Sequence, residues 1–156
     1  MRYPSFVLLF LFCTSSVAAQ EIISVDICVY GATSGGVIAA VTAARLGKKV
    51  ILVTPEAHPG GMSSGGLGNT DIGNKSAITG LARDFYRRVG RHYRKPEQWV
   101  FEPHVAEDIF KTYIREAAVT VLYHQCLQAV FKKGTVIQEI QTVDADHPAT
   151  EPGTLI

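Results

Sequence analysis

The chain has 156 residues and a formal net charge of +1. With a leader set aside, that length bounds it to about one domain. The near-neutral balance gives no argument for nucleic acid or an acidic partner.

Met1-Arg2 is a short positive start, Phe6 to Phe12 an apolar stretch too short to span a bilayer, and Val17-Ala18-Ala19 a small-residue exit before Gln20. That order is the pattern of a secretory signal peptide over residues 1–19. The mature protein is expected to begin at Gln20 and to be exported, to a periplasm or the exterior. Phe12 is too large for lipoprotein processing at Cys13. After the leader no segment is long and apolar enough to cross a membrane. Cys28 and Cys126 remain, both in apolar strand-like runs without metal-ligand spacing. Buried free thiols are expected, with neither a disulfide framework nor a metal site.

Asp26 to Tyr30 reads as a first strand. It ends in the turn Gly31-Ala32-Thr33-Ser34-Gly35-Gly36, which opens directly into a small-residue helix over Gly35 to Leu46. Lys49 to Val53 is a second strand, parallel to the first and reached through the helix. Strand, tight turn and helix form the context in which such a turn binds a dinucleotide pyrophosphate. Free N–H groups and the helix dipole favour an anion there, and glycine lets the backbone approach it closely. Gly31 and Gly36 fill the outer positions of GxGxxG, while Thr33 stands where the middle glycine belongs. An acidic ribose-binding residue is expected at the end of the second strand. That place, eighteen residues after Gly36, is held by Thr54. Either Glu56 substitutes or the Thr54 hydroxyl donates instead.

The stretch from Pro55 to Lys75 is rich in Gly, Ser, Asn and Pro, and loops this long inside one domain are usually functional. Ser76 to Val89 reads as an amphipathic helix with Ile78, Leu81, Ala82, Phe85 and Val89 on one face. Arg83, Arg87, Arg88, Arg91, Arg94 and Lys95 crowd its other face and end, as a solvated surface or an anion site. Pro103 suits the first turn of the next helix, whose buried stripe is Val105, Ile109, Tyr113, Ile114 and Ala117. His104 lies three residues before Glu107, spacing that could pair them; His58 is the other histidine of interest. Val119 to Tyr123 is a third parallel strand. Gln125 to Phe131 and Val136 to Val143 form a hairpin joined at Lys132-Lys133-Gly134-Thr135. A polar tail follows over 148–156.

The loop His58-Pro59-Gly60-Gly61-Met62-Ser63-Ser64-Gly65-Gly66-Leu67-Gly68-Asn69-Thr70-Asp71 narrows the reading. A Gly-Gly pair shortly after the second strand, followed by Met and Ser, resembles the second flavin-contacting loop of FAD-dependent oxidoreductases of the two-dinucleotide-fold type. Phe101-Glu102-Pro103-His104-Val105-Ala106-Glu107 resembles a segment of the bacterial branch often labelled xanthan-lyase-like. The resemblance runs from about Asp26 to Val143 and is carried by the two glycine loops together. It implies an α/β fold, a partial Rossmann-like doubly wound parallel sheet with an attached β-hairpin over residues 20–147, and FAD as cofactor. It further implies that Gly31, Thr33, Ser34, Gly35 and Gly36 cradle the pyrophosphate and that Thr54, Pro55 and Glu56 lie near the ribose. Gly60, Gly61, Met62 and Ser63 would run along the pyrophosphate toward the isoalloxazine, and the backbone near Leu127 would meet the adenine. Short-chain dehydrogenases are excluded: they want glycine at the position of Val37 and a Tyr with Lys four residues on, which no tyrosine here has.

Flavoproteins of this type carry further strands, a second phosphate-contacting segment and a substrate domain. The chain is therefore expected to be the N-terminal, FAD-binding portion of a larger flavin-dependent oxidoreductase with an unknown small-molecule substrate. The alternatives are a truncated, inactive nucleotide-binding remnant and a secreted module that binds another anionic ligand. Catalytic residues and oligomeric state are not readable from the sequence.

Overall fold

A computed structural model describes residues 21–146 and 154–156. The expected signal peptide and residues 147–153 of the tail region lie outside the described residues. Within them, three parallel strands form one sheet in the order β1-β2-β3: β1 (Ile27–Tyr30), β2 (Val50–Val53) and β3 (Thr120–Leu122). Between them run α1 (Ser34–Arg45), α2 (Gly80–His92) and α3 (Pro103–Glu116).

β2 is central and all four of its residues are buried, as a strand covered on both faces must be. Val50 and Leu52 join the main apolar cluster with Val37, Ala40 and Val41 of α1 and Val105, Ala106, Ile109, Phe110, Tyr113 and Ile114 of α3. Ile51 and Val53, on the alternate face, are equally buried. Among the described residues β1 is an edge strand, and Ile27, Cys28 and Tyr30 are exposed. This corrects the expectation for the cysteines: Cys28 is exposed and Cys126 only half-buried, because an apolar run is covered only where neighbours exist to cover it.

The α3 stripe follows the expected spacing, as do Phe85 and Val89 of α2, whereas Leu81 is half-buried and Ala82 exposed. The start of α2 departs from the expectation. The side chain of Asn74 accepts from the N–H of Ser76, which closes a separate short turn over Lys75–Ala77. Ile78 and Thr79 are extended, and Gly80 turns at φ +58° before the helix proper begins. Side-chain capping of this kind competes with helix, so the apolar period ran through a break it could not register.

The hairpin is present as β4 (Gln125–Lys133) and β5 (Val136–Asp144), closed by Gly134-Thr135 and irregular at Gln128 and after Phe131. A third strand joins it. β6 (Thr154–Leu155) pairs antiparallel with Gln141 and Thr142, and the Leu155 carbonyl accepts from Ile23 N–H at 2.7 Å while its N–H donates to the Glu21 carbonyl at 2.9 Å. The end of the expected polar tail is thus a short strand of this second sheet. The two sheets meet where Gln125 donates to the carbonyl of Thr54 at 2.9 Å.

Candidate functional site

β1 stops at Gly31, whose φ of +102° is open to glycine and strained for other residues. Its N–H donates to the Val53 carbonyl at 2.7 Å, which keeps the turn level with the end of β2. Thr33 is extended and is the N-cap of α1, its Oγ1 accepting from the N–H of Gly36 at 3.1 Å. That explains the threonine at the middle glycine position. The residue there has an ordinary negative φ, and its hydroxyl fills a capping role that glycine could not. The first N–H groups of any helix lack intrahelical partners, and here they open at the end of the parallel sheet, the usual place for an anionic ligand in such folds.

The two glycines at the start of α1 differ. A Cβ on Gly36 would stand 2.0 Å from the Gly31 carbonyl oxygen, so the turn itself requires glycine there. A Cβ on Gly35 would meet nothing nearer than Thr33 Oγ1 at 4.0 Å. Packing does not require glycine at 35; its absence of side chain leaves the helix start open.

The second glycine loop is fastened to the first. Gly60 donates to the Ala32 carbonyl at 2.7 Å. Ser34 Oγ donates to the Gly60 carbonyl at 2.7 Å and lies 2.9 Å from Ser63 Oγ. A Cβ on Gly60 would be 2.4 Å from the Phe110 ring, and one on Gly61 would be 3.2 Å from Thr33 Cα. The Gly-Gly pair is therefore pressed between the first glycine turn and α3. Met62 projects from this loop and is 75% exposed.

Beside the joined loops lies a cavity of about 650 Å³, within the range of small-molecule sites. It brings together Gly31, Thr33, Thr54, Pro55, Glu56, Gly61 and Met62 of the expected site residues. Thr54 is buried, and its Oγ1 accepts from the N–H of Glu56 at 3.2 Å. The hydroxyl thus supports the loop that carries Glu56 along the cavity wall. Ser34, Gly35 and Ser63 open instead onto a separate pocket of about 310 Å³, walled by Phe85, Tyr86 and Phe110. Gly36 and Gly60 sit behind the loops as packing positions. Leu127 lines a third hollow, of about 430 Å³, and its N–H donates to the Tyr30 hydroxyl at 3.0 Å. Tyr30 lines both this hollow and the main cavity, so it is the link between Leu127 and the rest.

His104 and Glu107 do not pair. Glu107 accepts from His58 Nδ1 at 2.9 Å and from Lys111, and His58 and Glu107 both line the main cavity. These two hydrogen bonds, the histidine's first, hold the Glu107 carboxyl below the usual carboxylate range. No sequence spacing signals this contact across 49 positions. Tyr30 was also missed, although its place directly before Gly31 could have suggested it. Among the arginines, Arg83 and Arg87 engage Glu97, and Arg88 engages Asp84 and Glu116. Arg83, Arg87 and Arg88 are thus ion-paired. Among the described residues no His, Cys, Asp and Glu group could hold a metal ion.

The family profile of FAD dependent oxidoreductases matches residues 26–154. The chain belongs to that family. By that family, its cofactor is FAD. Curated proteins give no match. Solved structures share the fold. THI4 of Thermovibrio ammonificans superposes with a TM-score of 0.58 at 13% identity, over 88% of this chain and 53% of that one. The myxobacterial chondrochloren halogenase CndH, an FAD-dependent halogenase, gives 0.59 at 15% identity, over 88% and 35%. A 3-ketosteroid-Δ4-(5α)-dehydrogenase of Rhodococcus jostii gives 0.56 at 11% identity, over 92% and 45%. The chain thus spans about half or less of the length of these neighbours. The glycine turn fits the cofactor: the helix start is left open at Gly35, where a Cβ would meet nothing nearer than 4.0 Å, and Gly31, Thr33 and Glu56 line the adjoining cavity.

Proposed function

We propose that this family member binds FAD along the Gly31–Gly36 turn and the Gly60–Met62 loop, as the cofactor-holding portion of a flavin-dependent oxidoreductase acting on a small molecule. The observation that carries this reading is the fastening of the two glycine loops beside one cavity. When bound, FAD supplies reversible electron-pair transfer. The chain's own residues hold and orient it. The open N–H groups at the start of α1 offer donors to the pyrophosphate. Thr33 fixes the turn by capping Gly36. Ser34 ties that turn to Gly60, so the two walls of the phosphate channel keep their spacing. Glu56 offers acceptors to a ribose.

The test is titration of the purified full-length protein with FAD, read by quenching of flavin fluorescence and by the visible flavin absorbance. Saturable one-to-one binding is expected. A folded protein that neither retains nor titrates with FAD refutes the reading.

The leader pattern of residues 1–19 further supports export, with Gln20 as the first residue of the mature protein. N-terminal sequencing of protein from the native host checks this, and recovery of intact Met1 from the cytosol overturns it. The charge balance supports a small-molecule substrate rather than a nucleic acid.

A further inference from the structure

The pocket of about 310 Å³ beside the second glycine loop shares no lining residue with the main cavity. One end of it is formed by the start of α1 and by Ser63 of the loop, and its walls by α2 and by Phe110 of α3. Phe85 and Phe110 are buried and stacked with ring centroids 5.0 Å apart, and Tyr86 meets Phe85 edge-on at 5.3 Å. Tyr86 is itself stacked on Trp99 at 4.0 Å, so the aromatic wall is held from behind. Neither backbone angle nor packing demands glycine at position 35, and what Gly35 contributes is room in this pocket.

The polarity of the pocket follows from its residues. No charged side chain lines it, so an ionised group seated there would lose water without gaining a counter-charge. The serine pair has a fixed direction. A hydroxyl carries one proton. Ser34 Oγ gives its proton to the Gly60 carbonyl, which can only accept. The 2.9 Å bond between the two serines must then be donated by Ser63. The Ser63 hydroxyl therefore has lone pairs alone left to offer, and it accepts. The Tyr86 hydroxyl, the other among the lining side chains outside this pair, can donate or accept and does not discriminate. A bound pyrophosphate would use the N–H groups of the helix start.

We propose that this pocket is a second binding site, apart from the FAD cavity, for a neutral molecule with an apolar ring body and one hydrogen-bond donor: a phenol, an alcohol or an N–H heterocycle. The ring lies against Phe85, Tyr86 and Phe110, and the donor meets Ser63 Oγ. The site stands independently of the FAD reading, because no residue of the main cavity wall enters it.

The experiment is calorimetric titration of the full-length protein, with and without FAD, using three probes built on one ring system. 2-Naphthol is neutral and donates, 2-methoxynaphthalene has lost that proton, and 2-naphthoate is an anion. 2-Naphthol is expected to bind one-to-one, about fivefold more tightly than the ether, the worth of one hydrogen bond, and roughly tenfold or more above the naphthoate. Ser63→Ala is expected to bring 2-naphthol down to the affinity of the ether. Ala82 is an exposed lining residue of α2, and Ala82→Trp is expected to fill the pocket, weakening 2-naphthol at least about tenfold while FAD binding is unchanged. Equal binding of the three probes overturns the proposal, whether or not the variants fold. So does a folded Ala82→Trp protein that binds 2-naphthol as the wild type does. Mutual exclusion of FAD and 2-naphthol overturns it as well, since the pocket would then belong to the FAD site. A protein that binds the probes in the expected order but never binds FAD supports the proposal and refutes the FAD reading alone.

Discussion

Replacing Gly36 by alanine adds one methyl group at the most crowded point of the phosphate turn. Its Cβ would lie 2.0 Å from the Gly31 carbonyl oxygen, 3.2 Å from the Gly31 carbonyl carbon and 3.5 Å from Thr33 Oγ1. All three belong to the turn, two of them to its backbone, so no flexible side-chain end can move aside. The turn must open by roughly 1 Å or more, as expected where interiors are close-packed. Opening breaks the cap from Gly36 N–H to Thr33 Oγ1, worth about 1 kcal/mol, and overpacking strain adds about 1–3 kcal/mol. The expected loss of stability is therefore about 2–4 kcal/mol. The same displacement pulls backbone donors away from the pyrophosphate. Two charge-assisted hydrogen bonds at about 1.5–3 kcal/mol each correspond to at least a hundredfold loss of FAD affinity, with about 1.4 kcal/mol per decade. Gly35→Ala is the control, because its Cβ meets nothing closer than 4.0 Å. Alanine in a helix is preferred over glycine by about 0.5–1 kcal/mol, so this variant should be as stable as the wild type or slightly more so. Its methyl group should nonetheless lower FAD affinity by standing at the open helix start. Thermal unfolding without ligand and fluorescence titration with FAD read the two effects separately. A Gly36→Ala protein with unchanged melting temperature and unchanged affinity would refute the reasoning.

Gly60→Ala should cost about 3 kcal/mol or more, since its Cβ would lie 2.4 Å from Phe110 at a φ of +115°; denaturant unfolding checks it, and a loss under 1 kcal/mol contradicts the packing described. Asp84→Asn removes the charged acceptor of Tyr113 (2.6 Å) and Arg88 (2.8 Å) and should cost about 1–2 kcal/mol, measured the same way. Burial works to raise the Asp84 pKa, but the Tyr113 hydroxyl and Arg88 together hold it below the ordinary value. A lowered folded pKa means that the contribution is full above the unfolded value of about 4 and is lost as pH falls through the folded value. The side chain is 36% exposed, so solvent screening keeps the effect small. Acid unfolding below about pH 4 should therefore be slightly less steep in Asp84→Asn than in the wild type. Tyr30→Phe leaves the Leu127 N–H without its 3.0 Å acceptor and should cost about 0.5–1.5 kcal/mol in denaturant unfolding.

Elements whose environment is set by local period were legible. The apolar runs at β1 and β2, the small-residue helix between them and the stripe of α3 all depend on which face meets the core, and side-chain spacing reports that directly. Cys28 shows where the inference stops. Its run is as apolar as β2, yet β2 lies between two strands and β1 has a neighbour on one side only. Sheet order is a non-local property, and burial follows it. The break before α2 was hidden for the opposite reason. It depends on a single side chain, Asn74, closing a turn within two residues, which a periodicity taken over four turns averages away.

The site divides along the same line. The glycine turn was legible because backbone conformation is written in glycines, and Gly31 and Gly36 are needed by their φ angle and by a 2.0 Å approach respectively. Glycines forced by packing, however, say nothing about a ligand: Gly36, Gly60 and Gly68 would each collide with this chain's own atoms. The stronger functional signal is a glycine that the fold leaves free. Gly35 has an ordinary φ, sits in a helix that alanine would stabilise and has nothing within reach of its missing Cβ. What it provides is open space over the first turn of α1. No sequence pattern separates the two kinds of glycine, since both stand in the same six-residue motif. The pairing of His58 with Glu107 was beyond sequence for a related reason. Its two partners lie 49 residues apart, and what brings them together is the pressing of Gly60 against Phe110, a contact that exists only once α3 has packed beneath the loop. The glycine turn is therefore fixed by local geometry, and the pairing of His58 with Glu107 on the cavity wall by tertiary packing.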